Sequence, residues 1–286
     1  MLEEIRDLGF EYAELSHGIR LSLVPGILDA VDTGVVKIST LHNFCPLPMG
    51  VNHAAPNIFR FTSTDRRERE RAYRQTIQTM ELAERVKARL IVLHMGSIEM
   101  RDYTDKLVEM VGKGQGNTSR YERLCYEVEE RRQERREVHE AHAYEILSFL
   151  EREAVKRGLM LGIENRESLE EIPFETDFGF LFMQFNSGAV RYWHDCGHGQ
   201  IKENIGFIRH AEHVMGLAEH LAGFHIHDVV FPGRDHVPPG KGMIDYTSLA
   251  PAVRPEHIKV LELHPAVEPE EVRESFAHMK SLWGEE

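Results

Sequence analysis

Seven short apolar segments alternate with longer amphipathic stretches, and this alternation limits the fold more than any other feature of the chain. The segments are YAEL (12–15), VVKIST (35–40), RLIVLHM (89–95), LMLGIE (159–164), VRYWHD (190–195), GFHIHDVV (223–230) and IKVLELH (258–264). Several are apolar throughout, which is typical of strands buried on both faces of a parallel sheet. Strands that alternate with helices predict an α/β fold.

The stretches between the segments have helical patterns, and a single domain over 1–286 accommodates them all. The predicted helices cover 21–31, 65–88, about 121–157, 205–221 and 268–283. Barrels commonly use about 250 residues as one domain, so this chain length suits one barrel. Segment 118–140 is dense in Glu and Arg and predicts a solvated helix face. Segments 43–62 and 97–120 predict long loops.

Seven strands are one fewer than a closed (β/α)8 barrel needs. The chain opens directly on an amphipathic segment, LEEIRDLGF (2–10), which is typical of a helix. We therefore expect a TIM-type barrel whose first strand is missing, with seven strands visible. A doubly wound open sheet is the alternative.

Charge excludes several classes of partner. The chain has 34 basic and 47 acidic residues, a net charge of −13, which argues against binding to nucleic acid or to an anionic membrane. No apolar run approaches the roughly 18 residues of a membrane span. Three cysteines and an acidic amino terminus without a signal-peptide pattern predict a cytoplasmic protein without disulfides. The sequence leaves open whether the chain forms a homo-oligomer.

Histidines and carboxylates gather at the carboxyl ends of the predicted strands. They are His42, His94, Glu164, Asp195, His198, His225 and Glu262, with Asp235 and His236 in the loop after the sixth strand. Active sites of barrels lie at this face, and a barrel brings six strand ends around one axis where an open sheet does not. Imidazole and carboxylate together suit a divalent metal ion such as Zn²⁺ or Mn²⁺.

Other residues near the strand ends are weaker candidates for the metal or substrate site. His194, His227 and His264 are weaker candidates, the first two because strand alternation directs them away from their candidate neighbours. Cys45 and Cys196 are predicted to be small buried residues. Arg166 and Lys241 are candidates for binding substrate, although a solvated lysine is the simpler interpretation of Lys241.

The order of these motifs resembles the xylose isomerase-like barrel superfamily over about residues 2–282. The motifs are IEN (163–165), DCGH (195–198), HIHD (225–228), DHVPPGKG (235–242) and LELHP (261–265). This superfamily includes sugar and sugar-phosphate isomerases and epimerases, and also endonuclease IV. Its first strand precedes a helix similar to LEEIRDLGF, which agrees with a missing first strand here.

The resemblance to the epimerase branch implies a metal site and a reaction. Glu164, Asp195, His225 and Glu262 would hold a divalent ion (Mn, Zn, Co or Mg, one or two per chain). The matching glutamates, Glu164 and Glu262, would also transfer the proton α to a carbonyl, through a metal-stabilised enediolate. The implied activity is that of a sugar or sugar-phosphate isomerase or epimerase, an enzyme of carbohydrate metabolism acting on a small polyhydroxylated compound.

The resemblance to the endonuclease branch supplies the alternative function, metal-dependent phosphodiester hydrolysis. His42, His94 and His236 correspond to extra metal ligands of that branch, and with His198 and Asp235 they are candidates for a second metal or for substrate binding. The match is incomplete, since Arg234 stands where that branch has an Asp. A basic cluster, RRQERR (131–136), is the sole local feature in favour of DNA. A non-catalytic binding protein on a decayed barrel is a third hypothesis.

Overall fold

The computed structural model describes residues 1–284. Nine strands occur in this part of the chain: β1 Tyr12–Leu15, β2 Lys37–His42, β3 Leu90–Leu93, β4 Met160–Glu164, β5 Val190–Asp195, β6 Leu221–Ile226, β7 Asp228–Val230, β8 Arg234–Val237 and β9 Ile258–Leu261. The helices are α1 Leu2–Asp7, α2 Val24–Asp32, α3 Arg66–Val86, α4 Thr104–Gly112, α5 Ser119–Arg157, α6 Phe178–Gln184, α7 Cys196–Asn204, α8 His210–Gly216, α9 Tyr246–Leu249 and α10 Pro269–Trp283.

Seven strands form one sheet in the order β1-β2-β3-β4-β5-β6-β9, which matches the seven predicted segments. Their pairing is parallel, as in the register that aligns Asp195 with His225. All four residues of β3 are buried, as expected for a strand covered on both faces. None of the helices in residues 1–284 combines the length and apolar character that crossing a membrane requires.

The described chain folds into two compact units. The first comprises Met1–Gly96, Val138–Glu164 and Leu181–Arg191, and the second comprises Ser97–Glu137, Asn165–Phe180 and the chain from Tyr192 onward. A single domain over 1–286 therefore stays a prediction.

In the first unit, helix α3 begins at a clear capping residue and packs its apolar face inward. The side chain of Asp65 accepts a hydrogen bond from the Arg67 amide at 2.8 Å, which satisfies one of the unpaired amides of the first turn. Met80 and Ala83 of this helix are fully buried, as are the residues of β3. The sequence pattern 65–88 thus predicts this helix to within two residues at each end.

The second unit has an aromatic core around β6 and α10. The ring of Phe224 lies 4.9 Å from that of Trp283, which in turn lies 5.5 Å from Tyr246. The indole N–H of Trp283 donates to the Tyr246 carbonyl oxygen at 2.9 Å, so the buried indole is satisfied. This packing anchors the carboxyl-terminal helix under the strands that carry the candidate ligands.

Three sequence predictions differ from the structure. The predicted strand 223–230 is two strands, because the chain turns at His227 and β7 pairs antiparallel with β8. The predicted loop 97–120 contains helix α4, whose apolar residues Leu107 and Met110 are buried. The predicted helix 205–221 is helical over His210–Gly216.

The predicted solvated face 118–140 is not uniformly solvated. Arg132 is buried, and its guanidinium donates to the carbonyl oxygens of Leu169 and Glu171. The aliphatic stem of an arginine can cross an apolar surface while its head reaches carbonyl groups, which helix periodicity alone does not reveal.

Candidate functional site

In the first unit, His42, His94 and Glu164 form a buried cluster at strand ends. His42 ends β2, Glu164 ends β4, and His94 follows β3 by one residue. The Glu164 Oε2 atom lies 2.8 Å from His94 Nε2 and 3.9 Å from His42 Nε2. The parallel register of β2, β3 and β4 brings these ends to one edge of the sheet.

Hydrogen bonds on the far side of each ring orient the two histidines. The Nδ1 atom of His42 lies 3.0 Å from the Asn43 carbonyl oxygen, and Nδ1 of His94 lies 3.0 Å from Asn57 Oδ1. Both partners accept, so Nδ1 of each ring donates and Nε2 faces Glu164. Two imidazole nitrogens and a carboxylate that converge in a buried site match the donor set of a divalent cation.

His17 also belongs to this cluster, although it is not among the residues selected from the sequence. Its ring lies 4.7 Å from that of His42, in an edge-to-face arrangement. His17 follows β1 by two residues, so the rule that selected the other strand-end residues would also have selected it.

In the second unit, Asp195, His225 and Glu262 meet at the ends of β5, β6 and β9. The His225 Nδ1 atom lies 3.0 Å from Glu262 Oε2 and 3.9 Å from Asp195 Oδ2. Asp195 and His225 are fully buried, whereas 27% of the Glu262 side chain is exposed. Two carboxylates that share one imidazole in a low-dielectric site repel each other, and a bound cation removes this cost.

Local interactions hold Asp195 in place. Its side chain caps helix α7 by accepting from the His198 amide at 2.7 Å. Asn165 bonds both backbone groups of Asp195, accepting from its amide at 2.7 Å and donating to its carbonyl at 3.0 Å. The DCGH motif is therefore a strand end that becomes a helix start, with the acid fixed at the junction.

His227 lies in the site, contrary to the alternation argument that directed it away from its neighbour. Its Nε2 atom is 3.0 Å from Asp195 Oδ1 and 3.1 Å from Asp195 Oδ2. His225 and His227 are two residues apart, so the two-residue period of a strand places them on the same side, and the expectation that His227 points away from His225 was wrong. His194 does follow alternation, and its ring bonds Tyr192 and His210 on the opposite face.

His198, Asp235 and Glu167 form a further group whose ligand atoms lie within 4.8 Å of one another. His236 lies beside it, with Nδ1 at 3.1 Å from Asp235 Oδ1 and Nε2 at 3.9 Å from Glu262 Oε1. Burial lowers the pKa of His236, but the carboxylates of Asp235 and Glu262 outweigh it and raise this pKa to about 10. Burial raises the pKa of Asp235, but the His236 hydrogen bond and the charges of the neighbouring histidines together outweigh it, so this pKa is lowered.

The two candidate substrate-binding cations have different surroundings. Arg166 is nearly buried, and its Nε donates to Glu171 Oε1 at 3.1 Å, with NH1 at 3.4 Å from His198 Nδ1. Lys241 is 53% exposed and lies 3.5 Å from Glu274. Arg166 thus borders the His198 group, whereas the Lys241 ammonium contacts helix α10.

The two cysteines near the strand ends are buried. Burial raises the pKa of the Cys45 thiol, and it raises that of Cys196 well above its usual value. A thiol with a raised pKa is a poor nucleophile, which agrees with the prediction of small buried residues.

Asp228 belongs to the HIHD motif at the end of the sixth predicted strand, but the sequence assigned it no role. Its buried carboxylate accepts backbone hydrogen bonds of 2.8–3.0 Å from Val229, Gly240, Gly242 and Ile244. A Cβ atom on Gly242 would lie 2.3 Å from Asp228 Oδ1. The two glycines of the GKG segment were the available signal, since they allow the backbone to approach this carboxylate.

Comparisons with known proteins agree with the fold. The family model for xylose isomerase-like TIM barrels matches residues 2–282, which confirms the predicted fold class and resemblance. None of the curated proteins matches the sequence.

Three solved structures illustrate the likeness. A D-tagatose 3-epimerase-like protein is 16% identical with a TM-score of 0.68, over 98% of this chain and 91% of that chain. A D-psicose 3-epimerase in the presence of D-fructose is 14% identical with a TM-score of 0.65, over 99% and 93%. The IOLI protein with a bound zinc atom is 15% identical with a TM-score of 0.66, over 99% and 91%. At these identities the likeness shows the fold alone.

Proposed function

Because this chain belongs to the xylose isomerase-like TIM barrel family, we propose that it is a divalent-metal-dependent isomerase or epimerase of sugars or sugar phosphates. The observation that carries the proposal is the trio Asp195, His225 and Glu262, of which the first two are fully buried and whose ligand atoms converge at three strand ends. The solved structures described as sugar epimerases, and the one described with zinc, support the same activity.

The proposed ligands of the ion are Asp195, His225 and Glu262, together with Glu164. Glu164, at the end of β4, completes the set as the resemblance to the epimerase branch implies. Three carboxylates and one imidazole form a hard, anionic set that suits Mn²⁺, Zn²⁺, Co²⁺ or Mg²⁺. A divalent ion held there would act as a Lewis acid towards a carbonyl oxygen of the substrate.

Glu164 and Glu262 are the proposed proton carriers. One carboxylate takes the proton from the carbon next to the substrate carbonyl, and the electron pair of that C–H bond moves into an enediolate. The other, in its protonated form, returns a proton to the opposite face in an epimerisation. In an isomerisation it returns the proton to the former carbonyl carbon, and the hydroxyl proton moves to the former carbonyl oxygen. General acid–base catalysis of this kind contributes about 10²–10⁴-fold.

The remaining strand-end residues are proposed to hold the substrate. His198, Asp235 and His236 present imidazole and carboxylate groups that can bond hydroxyls of a polyol. The raised pKa of His236 supports a cationic donor at that position. Arg166 suits a substrate oxyanion, whereas the exposed Lys241 suits a phosphate at the rim.

Deuterium exchange tests this proposal directly. The protein is stripped with chelator, reloaded with Mn²⁺ and incubated in D₂O with D-psicose, D-tagatose, D-fructose and ketose phosphates. We expect NMR to detect deuterium at the carbon next to the carbonyl of at least one compound, and chelator to abolish the exchange. Glu262→Gln and Glu164→Gln are expected to lower the exchange rate by about 10²-fold or more.

The control variant is Glu256→Gln, which changes an exposed glutamate and is expected to keep the wild-type rate. Exchange that persists in both active-site variants would contradict the assignment of the proton carriers. Absence of exchange with every compound of the panel would contradict the proposed reaction class.

One observation favours the second candidate function, phosphodiester hydrolysis. The His42–His94–Glu164 cluster has the donors to hold another ion, and hydrolysis of phosphodiesters commonly uses two or more metals. The arginines of 131–136 argue against DNA, because Arg132 is buried on carbonyl groups and Arg136 pairs with Asp177. Two or three zinc ions per chain by elemental mass spectrometry, with cleavage of an oligonucleotide containing an abasic site, would establish this alternative.

A further inference from the structure

His227 has both ring nitrogens engaged within the second unit, and its position beside Asp195 is unexplained by the proposed reaction. The Nε2 atom contacts the Asp195 carboxylate at 3.0–3.1 Å. The Nδ1 atom accepts a hydrogen bond from the His236 backbone amide at 2.9 Å. The side chain is fully buried.

The amide N–H at Nδ1 determines the tautomer of His227. A backbone amide is an obligatory donor, so Nδ1 must offer its lone pair, and the ring proton resides on Nε2. The Nε2–H group then donates to Asp195. With one nitrogen accepting from the backbone and the other donating to a carboxylate, His227 has no lone pair for a metal ion.

The ring has no freedom to leave this position. It stacks on His236 with centroids 4.2 Å apart and planes at 9°. A Cβ atom at position 197 would lie 2.0 Å from Cε1 of His227, so only glycine in the DCGH motif allows the ring to occupy this place. Gly197 of the DCGH motif thus leaves the space that His227 of the HIHD motif fills.

We propose that His227 is a positioning residue that orients Asp195 as a metal ligand, an inference that rests on the proposed function. Its Nε2–H and the amide of His198 hold the carboxylate, so that Oδ2 lies 3.9 Å from His225 Nδ1. Hydrogen bonds to a ligating carboxylate fix its direction before the ion arrives. Losing such a partner typically lowers metal affinity by about 10–100-fold.

Metal affinity in matched variants tests the inference. His227→Leu removes both hydrogen bonds, whereas His227→Gln keeps an N–H donor near the position of Nε2. Calorimetric titration of the chelator-treated protein with Co²⁺ is expected to show about 10–100-fold weaker binding for His227→Leu and largely restored affinity for His227→Gln. The visible absorption spectrum of bound Co²⁺ is expected to change in the leucine variant, because the coordination geometry changes.

Two further variants separate the loss of the His227 contact from a general loss of structure. Gly197→Ala displaces the His227 ring without replacing it and is expected to weaken Co²⁺ binding as His227→Leu does. His213→Leu removes a histidine whose ring bonds Tyr192 on the opposite face of β5, and it is expected to keep wild-type affinity. Equal losses in His213→Leu and His227→Leu would overturn the inference.

The remaining outcomes separate this inference from the proposed function. If Asp195→Asn weakens Co²⁺ binding and His227→Leu does not, the ligand assignment stands and the role of His227 is refuted. If the glutamine variant binds as weakly as the leucine variant, the hydrogen bond is not what matters, and the role is likewise refuted. Co²⁺ binding that is unaffected by Asp195→Asn would refute the proposed ligand set itself.

Discussion

Acidification from pH 7.5 to 5 is expected to destabilise the protein through the buried His210 and the half-buried His213. The Nε2 atom of His210 lies 2.8 Å from His194 Nε2, and Nε2 of His213 lies 2.9 Å from the Tyr192 hydroxyl. Burial lowers the pKa of each to about 3. Both rings are therefore neutral in the folded protein over this pH range.

The direction and size of the effect follow from linkage. An unfolded histidine has a pKa of about 6.5, so between pH 6.5 and 3 the unfolded state binds more protons than the folded state. The free energy of unfolding falls as the pH drops through 6.5 and stops falling below about pH 3. At pH 5, proton binding stabilises the unfolded state by RT ln(1 + 10^1.5), which is about 2 kcal/mol per histidine. At pH 7.5 this stabilisation is about 0.1 kcal/mol or less.

The assay is urea unfolding at both pH values in the presence of chelator, monitored by circular dichroism. His213→Gln keeps a polar group near Tyr192 but does not titrate, so its loss of stability on acidification should be about 2 kcal/mol smaller than that of the wild type. His53→Gln, at an exposed position, should follow the wild type. Equal losses in the wild type and His213→Gln would refute the claim that burial keeps His213 neutral.

Three further predictions concern the fold and the proposed ion. Gly242→Ala should cost several kcal/mol in thermal unfolding, because its Cβ would meet the Asp228 carboxylate at 2.3 Å, whereas Gly26→Ala in helix α2 has open space and should stabilise by about 0.5–1 kcal/mol. Lys202→Met should cost about 3–5 kcal/mol, since it leaves the buried Glu175 carboxylate without its ammonium partner at 2.9 Å, and Glu175→Gln in the same chain should recover most of this loss. A divalent ion at one hundred times its Kd should raise the free energy of unfolding by about 2.7 kcal/mol, measured as a melting temperature that falls with chelator.

Each of these has a result that contradicts it. Equal effects of the two glycine variants would mean that the loop at residue 242 can move away from the carboxylate. A double variant as unstable as Lys202→Met would mean that the lysine acts by packing and not by pairing. An unchanged melting temperature on metal removal would argue against a resident ion.

Local patterns in the sequence predicted the seven strands of the parallel sheet, but not the separate strands β7 and β8, and they selected most of the strand-end candidates. Tyr12–Leu15 and Val190–Asp195 coincide with their predicted segments, because a short segment of strand-forming residues between helical patterns specifies a strand without reference to the rest of the chain. The alternation of strands and helices then places strand ends together, which selects Glu164, Asp195 and Glu262 before any contact is known.

What local patterns did not determine are the contacts made after a strand ends. The contact of His227 with Asp195 forms one residue beyond the end of β6, and the prediction that His227 points away from His225, two residues before it, misapplied the two-residue period. The burial of Arg132 and the loop contacts of Asp228 depend on partners dozens of residues or one loop away. The sequence by itself determined which donors stand at the strand ends, and the tertiary structure alone decided how they are oriented, because orientation depends on hydrogen bonds between segments that no local period describes.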